Sequence, residues 1–292
     1  MGLLELLLYI FLFLFIIFHV LTYSIRWYEE AKRRGEEHSI WEFSPRLILP
    51  ILAEMASHLA MLVLTGADFV ITGLRWLLER FGSKSAARSF EPTHFSPPSA
   101  TGRPVILIHG MGMRGLALLP LALRLRREGR AVHLFTYWPP GRLIDGYARQ
   151  LSMFIERIRQ EHGYEELDLV AHSLGGLIAR RYMQMNEGTH PIRRVVTIGT
   201  PHRGSELWRF SIYASGRQLR PDGELLRSLD GAGLREGMGA VAIASTFDEL
   251  VIPNDNARWE RDGVINITVE NLGHARMVFS REVYNHIRKS LT

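Results

Sequence analysis

The sequence predicts an α/β protein, a mostly parallel sheet with helices on both faces, preceded by helices of membrane character. Two observations carry this. Beyond Arg103 short β-branched or apolar runs alternate with segments whose apolar residues recur at i, i+3 and i+4, the pattern of buried parallel strands joined by crossover helices. Before it, Leu6 to Ile25 passes without a charge, twenty residues that as a helix reach about 30 Å, the thickness of a bilayer's hydrocarbon core.

In chain order, residues 1–28 read as a transmembrane anchor. Arg26, Trp27, Tyr28, Lys32, Arg33 and Arg34 form the basic and aromatic border expected at lipid headgroups. No basic stretch precedes the run and no small-x-small site follows it, so a retained anchor is expected rather than a cleaved signal. Residues 29–82 contain a second apolar region interrupted by Glu54 and Asp68. Its uncharged stretch, Met55 to Ala67, is short for a span, so it is expected to lie at the interface or packed on the catalytic domain, with a second crossing and a Glu54–His58 pair inside it as the alternative. Residues 83–103, rich in Ser and Pro, read as a linker, and residues 104–292 as the catalytic domain. Strands are expected at Val105–His109, Val132–Thr136, Leu167–Ala171, Val195–Gly199, Ala240–Ser245 and Val264–Val269. Helices are expected at Leu118–Arg127, Leu143–Gln160, Leu174–Met185 and Arg281–Leu291.

Composition excludes some chemistry. The chain has no cysteine, which rules out disulfides, thiolate metal sites and a Cys nucleophile. Residues 1–100 hold 9 Lys/Arg and 10 Asp/Glu, so of the total of +5 the remainder carries +6, from 26 Lys/Arg and 20 Asp/Glu. Those basic residues are scattered without interleaved aromatics, which argues against a nucleic-acid groove.

The chemistry centres on "LDLVAHSLGGLIARRYMQ". A strand turns through small residues into a helix, and Ser173 sits at the corner. Such a corner exposes the hydroxyl and aims helix N-terminal N–H groups at it, while Ala171, Gly175 and Gly176 permit the close backbone passage. A helix N-cap would use the same serine, so the motif needs partners to be read as catalytic. "PVILIHGMGMRG" supplies a glycine-flanked turn after the first strand. The N–H of Met111 there and that of Leu174 make a pair of oxyanion donors. A phosphate-binding turn is disfavoured because the Lys-Ser/Thr of a P-loop is missing. Asp248 follows the strand Ala240–Ser245, where a carboxylate can orient a histidine. Asp255, Glu249 and Asp262 compete, Glu249 reading as a solvated neighbour and the others lying further from the strand end. His274 follows the strand Val264–Val269, where a general base belongs, with His202 as its rival.

With "ILIHGMG", "VAHSLGG", "TIGTPHRGSEL", "STFDELVIP" and "NLGHARM" in this order, the chain over residues 103–292 resembles α/β-hydrolases of the bacterial lipase and esterase kind. The resemblance implies an α/β-hydrolase fold, a triad of Ser173, Asp248 and His274, and a structural role for His202. Ala171 stands where the usual motif begins with Gly, a change found in some small bacterial lipases. A membrane-anchored serine hydrolase of lipid carboxylic esters is therefore expected, without metal or organic cofactor, acting on a lipid or acyl-ester substrate at the membrane and not on nucleic acid. A phospholipase A or lipid acyltransferase shares this machinery, and a catalytically silent membrane-tethered binding module is the alternative of another class. The segment 205–237, with Leu207, Trp208, Phe210, Ile212 and Tyr213, reads equally as a lid, an acyl pocket wall or scaffold. The charge bias places the catalytic domain in the cytoplasm, at a bacterial inner membrane.

Overall fold

A computed structural model describes residues 2–35, 45–81, 94–95, 102–187, 189–231 and 233–292. The sheet is built from β1 (His94–Phe95), β2 (Val105–Ile108), β3 (Val132–Phe135), β4 (Leu167–His172), β5 (Ile192–Ile198), β6 (Gly239–Ser245) and β7 (Val264–Val269), in the spatial order β1-β3-β2-β4-β5-β6-β7. Strands β2 to β7 are parallel, and β1 alone runs antiparallel, pairing His94 with His133. The six parallel strands lie within three residues of the bounds the periodicity gave. The departure is β1, inside the Ser- and Pro-rich segment expected to be a linker. Two residues suffice to add an edge to β3 but leave no alternation to read. The rest of 83–101 lies outside the described residues.

Alternate side chains of each strand enter opposite layers, as the two-residue period requires. Ile106, Ile108, Leu169, Ala171 and Val195 face α4 (Ile144–His162), α5 (Leu174–Met185) and α7 (Glu224–Gly231), which bury Tyr147, Leu151, Leu177, Ile178 and Leu226 against them. Val105, Leu107, Val170, Val196 and Ile243 face α3 (Leu119–Arg127), α8 (Arg276–Phe279) and α9 (Arg281–Ser290). A short helix, α6 (Ala214–Arg217), lies between β5 and α7.

Two long helices precede the sheet. Helix α1 (Leu3–Arg34) runs past Tyr28, where the anchor was expected to stop. No helix breaker intervenes before Gly35, which ends it in a left-handed conformation, φ 72°. Helix α2 (Ile48–Phe81) is apolar on most of its surface, but one stripe is buried against the domain: Glu54, Ser57, His58, Met61, Thr65 and Asp68. Met61 joins the core on the α3/α9 side. Both helices are long and apolar enough to cross a membrane, by length and composition.

Candidate active site

Ser173 occupies the corner between β4 and α5 with φ 56° and ψ −128°. A non-glycine residue there stores about 1–3 kcal/mol of strain and persists only where its surroundings fix it. The surroundings do so: the Ser173 N–H donates to Ile198 O at 2.9 Å, and its carbonyl accepts from Gly176 N at 3.0 Å and Thr200 Oγ1 at 2.9 Å. The small residues around the corner are sterically required. A Cβ on Gly175 would come within 2.6 Å of Ile108 O, and one on Gly110 within 3.0 Å of Ser173 Cβ.

Gly110 also begins the turn that carries Met111, expected as an oxyanion donor. Its carbonyl accepts from Tyr137 Oη and from His109 Nδ1, each at 2.8 Å, with the His109 and Tyr137 rings stacked at 4.1 Å. In a trans peptide the C=O and the following N–H point in opposite directions, so holding the Gly110 oxygen also fixes the direction of the Met111 N–H. Met111 and Leu174 line one cavity of about 170 Å³, together with Tyr137, Trp138, Tyr213 and, from α2, Phe69. A larger polar cavity, lined by Asp145, Arg181 and Arg220 among others, contains none of the groups named for chemistry and is set aside on that ground.

Asp248 and His274, the expected acid and base, meet across two loops. His274 Nδ1 donates to Asp248 Oδ2 at 2.8 Å, and Asp248 Oδ1 accepts from Leu250 N at 2.8 Å and Val251 N at 2.9 Å, so the carboxylate is held on both oxygens. Gly199, φ 54°, lies beneath them: a Cβ there would stand 3.1 Å from Asp248 Oδ2 and 3.2 Å from His274 Nδ1. His172, next to the serine, donates from Nε2 to the carbonyl of His274 at 3.1 Å, tying the corner to the histidine loop. Burial alone would lower the His274 pKa, but the adjoining Asp248 carboxylate raises it, and the net direction is upward.

His202 lies elsewhere. It is buried, stacked on Trp259 at 4.9 Å, accepts from Arg180 on Nδ1 at 3.2 Å and contacts Thr197 Oγ1 through Nε2 at 2.9 Å. Burial first, then Arg180, pushes its pKa well down. Every polar atom of the ring is used in holding the turn after β5.

Sequence reasoning missed three contributors. Tyr137 follows β3 with no motif around it. Glu249, expected to be a solvated neighbour, is fully buried, and its Oε2 accepts from His274 N at 3.0 Å. The strand-end loop folds inward at Val251 and Ile252, both 1% exposed, and carries Glu249 with it. Burial, then the nearby Glu54 and Asp248 carboxylates, pushes its pKa well above the usual carboxylate range.

The third contributor is α2. Glu54 accepts from Ala275 N at 2.6 Å and Arg276 N at 2.8 Å, capping the helix that follows His274. Gly273 leaves no room for a Cβ beside that carboxylate. Asp68 accepts from Leu116 N at 3.0 Å and Arg114 Nε at 2.7 Å, holding the far end of the turn that carries Met111. The two carboxylates are 14 residues apart, about 21 Å along one helix face. The signal was present in the spacing Glu54, His58, Thr65, Asp68, Thr72, a polar stripe at helical period in an apolar segment.

Tyr137→Phe removes one of the two side-chain donors on Gly110 O and leaves the ring stack in place. The expected result is a fall in kcat of about tenfold, corresponding to about 1–1.5 kcal/mol for one neutral hydrogen bond, with KM little changed. Steady-state kinetics on a soluble ester checks it, and a change confined to KM would show that the tyrosine shapes binding instead.

Residues 103–220 match the family model of the alpha/beta hydrolase fold. Triacylglycerol lipases of Pseudarthrobacter phenanthrenivorans and Burkholderia plantarii are each 30% identical over 120 residues, covering 38% of this chain and 37% and 33% of theirs. The chain thus matches about a third of the length of these curated relatives. The crystal structure of Bacillus licheniformis lipase BlEst2 in its mature form superposes with a TM-score of 0.57 at 18% identity, covering 69% of this chain and 96% of that one. Aspergillus fumigatus lipase B does so with 0.55 at 16%, covering 70% and 56%. The sheet order, the strained serine corner and these matches agree: the domain has the α/β-hydrolase fold, and over part of its length the chain is similar to lipases of that family.

Proposed function

We propose that the protein is a membrane-anchored serine hydrolase that cleaves carboxylic esters of lipids through an acyl-enzyme on Ser173. The observation that carries this is the corner itself: a serine held at φ 56°, followed by Leu174 on the cavity that Met111 also lines, and tied through His172 to the loop whose His274 is bonded at 2.8 Å to a buried aspartate. Ser173 Oγ attacks the ester carbonyl, and His274 takes its proton and then delivers it to the leaving alcohol. Asp248 keeps the imidazole in the tautomer with Nε2 free and stabilises the imidazolium, while the Met111 and Leu174 N–H groups bind the oxyanion. Water then repeats the sequence on the acyl-enzyme, with His274 again as base. The apolar cavity beside the two donors, with Trp138 and Phe69 at its edge, suits an acyl chain. A panel of esters of graded chain length, with phospholipids and an acyl-accepting alcohol included, tests this. Hydrolysis of acylglycerols or simple esters supports it, whereas transfer to the alcohol in preference to water would make the protein an acyltransferase.

The rate should depend on pH through His274. Only the neutral imidazole accepts the serine proton, so activity rises as the pH passes the His274 pKa. Because the Asp248 carboxylate raises that pKa, the acid limb of kcat/KM should lie above the ordinary imidazole value of about 6.5. In Asp248→Asn the largest raising cause is gone, while burial and the smaller effect of the Glu54 carboxylate remain, so the limb of the residual activity should move to lower pH. A limb unmoved by that substitution would assign it to another group.

For the anchor, α1 supplies an exposed, uncharged stretch, Leu6–Phe18, with Phe13 63% exposed, about 20 Å of helix that the half-buried residues up to Ile25 extend toward a hydrocarbon core of about 30 Å. Its second half turns His19, Tyr23 and Arg26 to protein, Arg26 donating to Thr246 O at 2.7 Å. Helix α2 lies along the domain, where Glu54 and Asp68 have their partners, which favours one crossing by α1 and, from the bordering basic residues, a cytoplasmic catalytic domain. Proteolysis of intact spheroplasts checks the side: digestion of the catalytic domain while a cytoplasmic marker survives would place it outside.

A further inference from the structure

Four side chains that the proposed reaction does not use meet behind the histidine loop. Glu54, His58 and Glu249 each offer a ligand atom, all lying within 4.8 Å of one another, and all three residues are buried. His58 Nδ1 is 3.1 Å from a Glu54 Oε1 and 3.9 Å from Glu249 Oε1, and His19 Nε2 reaches the same Nδ1 at 3.1 Å. His19 Nδ1 bonds to Phe15 O at 2.8 Å; a carbonyl can only accept, so Nδ1 carries the proton and Nε2 presents its lone pair to the cluster. His19 Nε2, Glu54 Oε1 and Glu249 Oε1 therefore converge on one imidazole nitrogen, a set that needs added protons or a cation in their place. Glu249 Oε1, wholly buried, finds no hydrogen-bond partner at all. Among the described residues, the basic side chain in contact with both carboxylates is His58; the nearby Arg26 bonds Glu30 and Thr246 O through Nη2 and hydrogen-bonds neither carboxylate.

We infer that His19, Glu54, His58 and Glu249 form a binding site for one divalent transition-metal ion, which fastens both N-terminal helices to the loops carrying Asp248 and His274. Two imidazole nitrogens and two carboxylate oxygens suit zinc, cobalt or manganese; calcium, which takes six to eight oxygens, is ill served. A tetrahedral ion with bonds of about 2.0–2.1 Å sets its ligand atoms about 3.3 Å apart, against 3.1, 3.9 and 3.1 Å from His58 Nδ1 to Glu54, Glu249 and His19; His19, outside the closest group of three, is the ligand that must move in to complete the set. The ion gives the orphaned Glu249 oxygen a partner and displaces the proton that His58 Nδ1 would otherwise hold. The outer contacts are those of a built site: Phe15 O orients His19, the Ala275 and Arg276 N–H groups orient Glu54, and the His274 N–H orients Glu249. No ligand touches the cavity holding Met111 and Leu174, so the ion acts on the position of the loops and not on the substrate.

The test uses the full chain in detergent, its affinity tag removed, stripped with a chelator and reloaded with Zn²⁺. Metal per chain is measured by plasma mass spectrometry, and melting temperature before and after loading. The wild type is expected to retain one equivalent through gel filtration and to melt higher when loaded, and Co²⁺ is expected to give the visible bands of a four-coordinate nitrogen and oxygen site. Glu249→Gln keeps the size of the side chain and an acceptor for the His274 N–H, and should weaken binding about 10–100-fold; His58→Gln should abolish the cobalt spectrum. Should His58→Gln fail to fold, Glu249→Gln decides alone. A stripped wild type that takes up no zinc would leave a shared proton as the occupant and overturn the site, as would equal binding by wild type and Glu249→Gln.

Discussion

Ser173→Ala is expected to give a folded protein whose ester hydrolysis is lost by about 10⁴-fold or more, since triad members act as a unit and little but the oxyanion donors remains. The fold should survive because alanine meets the same backbone strain as serine, and Ser173 accepts and donates its recorded bonds through backbone atoms. Ser173→Gly sharpens the point. Relieving a φ of 56° should raise the melting temperature while activity is equally absent, so stability and catalysis move in opposite directions at one residue. Activity within about tenfold of wild type in either variant would remove Ser173 from the mechanism.

His274→Ala should be nearly as damaging, and its comparison with His202→Ala separates the two histidines. His274 is bonded to Asp248 and packs on His172, the neighbour of Ser173, whereas His202 bonds Thr197 and Arg180 and stacks on Trp259. His202→Ala should therefore lower the melting temperature, leaving a buried arginine short of an acceptor at about 1–3 kcal/mol, with kcat little altered in the folded fraction. Loss of kcat with unchanged stability in His202→Ala, and the reverse in His274→Ala, would exchange their roles.

The strand–turn–helix around Ser173 and the strand ends before Asp248 and His274 were legible because the chemistry that makes them is local. A tight corner demands small residues within two positions of the serine, and parallel strands demand short apolar runs. The supports were not legible for the complementary reason. Glu54 lies 221 residues from Ala275 and Asp68 lies 48 from Leu116, and those pairings exist only once α2 is seated. Within the sequence the two carboxylates looked like defects in a membrane segment; in the fold they cap the loops of the catalytic site. Glu249 was misread because its neighbour Asp248 already satisfied the need for an acid, and only the inward turn at Val251 and Ile252 buries it. Tyr137 acts through a carbonyl oxygen, a role that leaves no motif.

The central claim is that Ser173, activated by His274 and Asp248, becomes acylated. The most direct measurement is reaction of the full chain with an alkyl fluorophosphonate, followed by peptide mass spectrometry to locate the adduct and by its rate in Asp248→Asn and His274→Ala. The account predicts one adduct, on Ser173, formed far more slowly in both variants. An unlabelled protein, or an adduct on another residue with Ser173 unmodified, would contradict it.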